Sequence, residues 1–180
     1  MSDGGKPEFS RLIGRDELAR GPQSLELTAS AAERVALAHR FGLLDLDRLE
    51  ARVSLAPRDR GRLIMVEGHL SAAATQECVV TLEPVASEIE EDFSQLYSLA
   101  PDETPQAREL VVDPEAEDPP EPLGPSGLDL GEALAQQLAL ALEAYPRAAG
   151  AALDRSLGGQ AADPAEEGPF AELLALKRPQ

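Results

Sequence analysis

Residues 128–147 read LDLGEALAQQLALALEAYPR, the most regular stretch of the 180-residue chain. Leu130, Leu134, Leu138 and Leu142 recur at every fourth position, with Ala141 and Tyr145 extending the row. That spacing lays one apolar stripe along a helix. Asp129 stands just before the first turn and Glu132 three residues later, a capping-box arrangement with Asp in place of Ser or Thr. Pro146 cannot continue a helix and biases Tyr145 away from one. The pattern predicts a helix over 128–145, of which about 16 helical residues would span roughly 24 Å. Its stripe is too apolar to leave in water and must find a sheet or a partner. No catalytic chemistry is visible in it.

Upstream, hydrophobic periodicity changes from helical to alternating. In LEARVSLA, Leu49, Ala51, Val53 and Leu55 alternate with Glu50, Arg52 and Ser54. In LIMVEGHLSAAA, Ile64, Val66, Leu70 and Ala72 share one parity and Glu67, His69 and Ser71 the other. Alternation of this kind marks half-buried strands, and the charged loop at 57–62 joins them as a hairpin. TQECVVTLEPV predicts a further strand around Cys78, Val80 and Leu82, interrupted at Pro84. Val85, Ile89 and Phe93 then share a parity, opposite the acids Glu88, Glu90 and Asp92. Nearer the N-terminus, residues 7–13 and the pair Leu25 and Leu27 predict two more strands. Residues 30–41 predict a helix, with Ser30 and Glu33 as a capping box, Val35, Ala38 and Phe41 as its apolar face, and Gly42 as its stop.

Residues 101–125 carry seven prolines and eight acids against a single Arg. This composition predicts an acidic, largely unstructured linker, within which RELVVD (108–113) could add an edge strand. Residues 148–168 have little to bury and are expected to be flexible. Pro169 can open a short helix over 169–177, PFAELLALK. The fold class expected is α+β: an antiparallel, curled or barrel-like sheet from residues 7–100, with helix 30–41 inserted and the 128–145 helix packed on the sheet. All 180 residues then form a single domain.

The chain holds 33 acidic against 16 basic residues, a formal net charge of −17, with aromatics at 3% and no Trp. Nucleic-acid backbones are bound largely by Lys and Arg, so extended phosphate contact is disfavoured and RNA contact should be local. An acidic surface suits basic protein partners. With one Cys, Cys78, no intramolecular disulfide can form. No apolar run has the length of a signal peptide or a membrane span, so a cytoplasmic location is expected.

The phosphate-cradle, zinc-protease and nucleophile-elbow motifs are absent. A Cys78–His69 dyad on neighbouring strands is conceivable, but a lone strand Cys more often packs as a small hydrophobe. Glu88, Glu90 and Asp92 on one strand face could attract a divalent cation, although a solvated face is the simpler reading.

Three stretches in order, QECVVTLEPV (76–85), DLGEALAQQLALALEAYPR (129–147) and PFAELLALK (169–177), resemble the YceD family, in particular its alphaproteobacterial members, and AERVALAHRFGL (32–43) agrees with them. The resemblance implies a role in 23S rRNA accumulation or processing and hence in large ribosomal subunit assembly, with no catalytic mechanism attached. Many relatives carry C-x-x-C before LEPV, and some have a second Cys pair near the C-terminus, which would suit zinc. Here Thr81 replaces the second Cys and residues beyond it hold none. A four-Cys zinc site cannot form, and neither metal nor cofactor is expected.

These observations point to a non-enzymatic accessory factor that binds a basic ribosomal protein or assembly factor. The alternatives are an acidic protein-interaction module without a ribosomal role, and a metal-dependent hydrolase or nuclease using the 88–92 acids. The candidate partner-binding residues are Asp129, Gly131, Glu132, Arg147, Phe170 and Lys177. Each also has a structural explanation open to it: Asp129 and Glu132 as caps, Gly131 as a close-packing residue, Phe170 as an anchor for the tail. Arg147 and Lys177 are the least explained by packing.

Overall fold

A computed structural model of the chain describes residues 7–99 and 119–152. The predicted edge strand 108–113, the predicted helix 169–177, Phe170, Lys177 and most of residues 101–125 and 148–168 lie outside the described residues.

The element order is β1 (Leu12–Ile13), α1 (Arg15–Leu18), β2 (Gln23–Thr28), α2 (Ala31–Phe41), β3 (Asp45–Arg58), β4 (Leu63–Glu77), β5 (Pro84–Ser98), β6 (Glu121–Pro122), β7 (Leu128–Asp129) and α3 (Leu130–Ala141). The main sheet runs β2-β3-β4-β5-β6, and β1 pairs with β7 in a separate two-stranded ladder. The class is α+β, as expected, but the sheet is neither closed nor wholly antiparallel. β6 joins β5 in parallel, through Tyr97↔Glu121 and Ser98↔Pro122. Closure requires the two edges of a sheet to meet across its apolar face. Here α2, α3 and the N-terminal segment cover that face instead.

The alternating strands behave as their parity predicts. Leu49, Ala51, Val53 and Leu55 of β3 and Ile64, Val66, Leu70 and Ala72 of β4 are all buried in one continuous core. Their hairpin turns through a short 3-10 segment, Asp59–Gly61, with left-handed backbone at all three positions. The stripe of α3 lies in the same core: Leu130, Leu134 and Leu138 are at most 1% exposed. The helix is therefore docked on the sheet through its leucines.

Four predicted elements form only in part, and a fifth, at Cys78, does not form. Residues 7–13 give a two-residue strand, because Phe9 turns into the core and Arg11 turns to Glu33. On α2, Ala38 is buried and Phe41 packs partly against the core, as predicted, but Val35 is 71% exposed and Leu37 is buried in its stead. The end of the predicted linker is structured, since β6 adds to the sheet and the Leu123 amide donates to the Ser98 carbonyl at 3.0 Å. Finally, α3 stops at Ala141, and Leu142 is already extended. The Pro146 carbonyl, held by the Val79 amide at 2.9 Å, draws the following chain off the helix axis.

The largest departure is at Cys78. The strand predicted around Cys78, Val80 and Leu82 is a tight turn between β4 and β5. The Cys78 amide donates to the Glu83 carbonyl (2.8 Å) and the Leu82 amide to the Cys78 carbonyl (3.0 Å). Leu82 sits at φ 61° with its side chain 67% exposed. A left-handed backbone costs a non-glycine residue about 1–2 kcal/mol, less for Asn. Leu82→Asn is therefore expected to stabilise the fold by about 0.5–1 kcal/mol, read as a higher urea midpoint with unchanged m-value.

No helix among the described residues is long and apolar enough to cross a membrane.

Candidate functional site

The DLGE start of α3 forms a junction with the N-terminal segment and α2. The Asp129 carboxylate accepts from the Gly131 and Glu132 amides, closing the first turn of the helix as predicted. It also accepts from the Ser10 hydroxyl (2.5 Å) and the Arg11 amide (2.7 Å), fastening the N-terminal segment to a helix some 120 positions later. The Glu132 carboxylate does not complete a capping box. It faces Arg40 on α2, which holds it with two bonds of 2.7 and 2.8 Å and also reaches Glu8 at 3.1 Å. Gly131 is buried, and a Cβ there would lie 2.6 Å from the Phe9 carbonyl oxygen. Close backbone approach is what fixes glycine at this position.

Alongside, Arg11 pairs with Glu33 at 2.7 and 3.1 Å and lies over the Phe9 ring. The guanidinium holds the Glu33 carboxyl at about 2, well below the usual carboxylate range. Its contribution to stability is therefore complete above that range and lost as pH falls through about 2. The structure thus brings Asp129, Gly131 and Glu132 together and engages all three within the chain. Arg147 lies apart from them and is exposed.

Cys78 is enclosed beneath the β4–β5 turn. Its sulfur accepts from the Val80 and Thr81 amides at 3.4 Å and from the Ala148 amide at 3.2 Å. The Ala148 bond is the main cause of a thiol lowered to about 7, against the opposing effect of burial. The sulfur thereby ties the turn to the segment following α3. It does not meet His69, whose ring is held elsewhere, so the conceivable dyad is not assembled.

His69 stands on the open face of the sheet, opposite α2 and α3. Antiparallel register places Glu26, Arg52, His69 and Asp92 in one row across four strands. The neighbouring row holds Thr28, Glu50, Ser71 and Glu90. A groove of about 290 Å³ runs between Glu26, Glu50, Arg52, His69 and Ser71. His69 Nδ1 lies 2.7 Å from Asp92 and Nε2 2.9 Å from Glu90, while Arg48 pairs with Glu88 at 2.6 Å. The acids read from the sequence as one face of β5 are therefore tied laterally to β3 and β4. Among the described residues, no three His, Cys, Asp or Glu side chains are grouped to hold a metal ion.

Two carboxylates beside one imidazole favour its protonated form, and the His69 pKa is raised, first by Asp92 and then by Glu90. Its stabilising effect is complete below the ordinary histidine range and lost as pH rises through the raised value. An NMR titration of His69 is expected to give a midpoint above the ordinary value, moved down by Asp92→Asn. The histidine was visible in the sequence, but its partners depend on strand register.

Comparison with known proteins supplies the remaining observation. No curated protein and no solved structure matches the chain. A family model described as "Large ribosomal RNA subunit accumulation protein YceD" matches residues 66–177, more than half of the chain. The match runs from β4 through the Cys78 turn and β5 to α3, taking in the DLGE start of α3 but not the N-terminal segment and α2 that meet it. The chain belongs to the YceD family.

Proposed function

We propose that this protein is a non-enzymatic accessory factor for 23S rRNA accumulation and large ribosomal subunit assembly. In this reading it acts in the cytoplasm by holding a basic ribosomal protein or assembly factor, with RNA contact at most local. The observation that carries the proposal is the family match over 66–177. Two features support binding as the mode of action. The net charge of −17 favours encounter with basic proteins over broad contact with phosphates. The open face of the sheet, carrying Glu26, Glu50, Glu67, Glu88, Glu90 and Asp92, offers an acidic surface outside the core. Arg147, exposed beyond α3, remains available to a partner.

Deleting the gene tests the proposal. Loss of 23S relative to 16S rRNA and a deficit of large subunits are expected, both read from RNA quantification and sedimentation profiles. Unchanged 23S rRNA with normal large subunits, in cold as in warm growth, would refute it.

A further inference from the structure

We propose that the outer edge of β5, residues 85–96, binds an extended, Lys/Arg-bearing segment of a partner protein as an added β-strand. β5 pairs with β4 along its whole length, from Pro84↔Glu77 to Ser98↔Leu63. On its other side β6 covers Tyr97 and Ser98 alone. Among the described residues, no backbone group of 85–96 has a hydrogen-bond partner on that outer side. The short parallel addition of β6 shows that this edge accepts a strand. An unpaired edge of this length is a template for strand addition, the mode in which main-chain bonds give affinity and alternating side chains give specificity.

Side chains along the edge select the occupant. Glu88, Glu90 and Asp92 point to the open face and are well exposed, with Glu91 between them on the opposite parity. Two copies of this chain pairing through β5 would bring like charges together across the new ladder, which is unfavourable. A strand with Lys or Arg at alternate positions would instead set the Cβ of a cationic residue about 5 Å from that of each acid, within reach of an ion pair. Its intervening residues would lie on the side of Val85, Ile89 and Phe93, where apolar side chains fit. The occupant is thus an alternating basic and apolar segment of a protein, and a nucleic-acid strand is disfavoured by the same acids. The opposite edge, β2, is a weaker candidate: it is six residues long, and Arg11 already donates to the Thr28 carbonyl there.

This inference deepens the assembly-factor reading by naming the partner's chemistry, yet its test is separate from that reading. The full-length chain is titrated with a labelled 12-residue peptide alternating Lys and Val, at low salt, by fluorescence anisotropy and amide hydrogen exchange. Saturable binding with slowed exchange in β5 is expected. The combined variant Glu88→Lys, Glu90→Lys, Asp92→Lys should weaken binding about tenfold or more while circular dichroism stays unchanged. The milder set Glu88→Gln, Glu90→Gln, Asp92→Asn should give an intermediate loss. The same peptide N-methylated at every backbone amide keeps its charge and loses its donors, and it should bind about tenfold or more weakly. Equal affinity for the N-methylated peptide, protection elsewhere than β5, or displacement of the peptide by single-stranded RNA of equal length would each overturn the proposal. Peptide binding in a protein whose deletion leaves 23S rRNA unchanged would keep the strand-addition site and discard the ribosomal role.

Discussion

Leu134→Ala is expected to lower the unfolding free energy by about 2–5 kcal/mol, read as a fall in urea midpoint with little change in m-value. Leu134 is 1% exposed and sits with Leu130 and Leu138 in the core shared by β3 and β4. Truncation removes the transfer free energy of its buried methyl and methylene groups and leaves a cavity that a close-packed sheet cannot refill. The contrast on the same helix is Leu140, which is 79% exposed. Leu140→Ala should change stability by no more than about 0.5 kcal/mol. A leucine row read from sequence can serve a core or a partner. This pair of variants separates the two, because a partner-facing stripe would lose little stability in the isolated protein.

Asp129→Ala is expected to cost about 2–4 kcal/mol, more than the loss of an ordinary helix cap, which is about 1. Its carboxylate accepts from Gly131 and Glu132 within the helix and from Ser10 and Arg11 in the N-terminal segment. Removing it orphans donors in both elements at once. Hydrogen exchange should therefore rise in residues 8–13 as well as in the first turn of α3. Asp129→Asn retains an acceptor oxygen and should lose roughly half as much. An effect confined to α3, with protection of residues 8–13 unchanged, would show that the tie across the chain carries no energy.

These two residues also show what was legible in the sequence. The leucine period and the Asp before it define α3 because both are local, and the Ser30–Glu33 capping box and Gly42 define α2 for the same reason. Strict alternation in β3 and β4 fixes which face is buried, since a slip of one residue would expose every leucine. The Cys78 turn was hidden because CVVTL is rich in β-branched residues, whose local preference is for strand. Three amides converging on sulfur, one from Ala148, and a left-handed Leu82 override that preference. The early end of α3 depends on the same contact, since Pro146 is anchored to Val79 across the chain. The parallel pairing of β6 was equally out of reach, because Glu121 and Pro122 carry no strand signal of their own.

The candidate surface divides in the same way. The sequence places Glu88, Glu90 and Asp92 on one face of a strand, opposite Val85, Ile89 and Phe93. It does not reveal that His69 and Arg48 reach them from β4 and β3, nor that, among the described residues, β6 covers only Tyr97 and Ser98 on the far side of β5. Both follow from strand order and register. The functional reading accordingly moves from the DLGE junction, where Asp129, Gly131 and Glu132 hold the fold together, to the acidic outer strand of the sheet.

The ratio of 23S to 16S rRNA in the gene-deletion strain, supplied with either the wild-type protein or the folded Glu88→Lys, Glu90→Lys, Asp92→Lys variant at equal abundance, tests the central claim most directly. The account predicts that the wild-type protein restores the ratio and that the variant leaves it at the deletion level. Full restoration by the variant would contradict it.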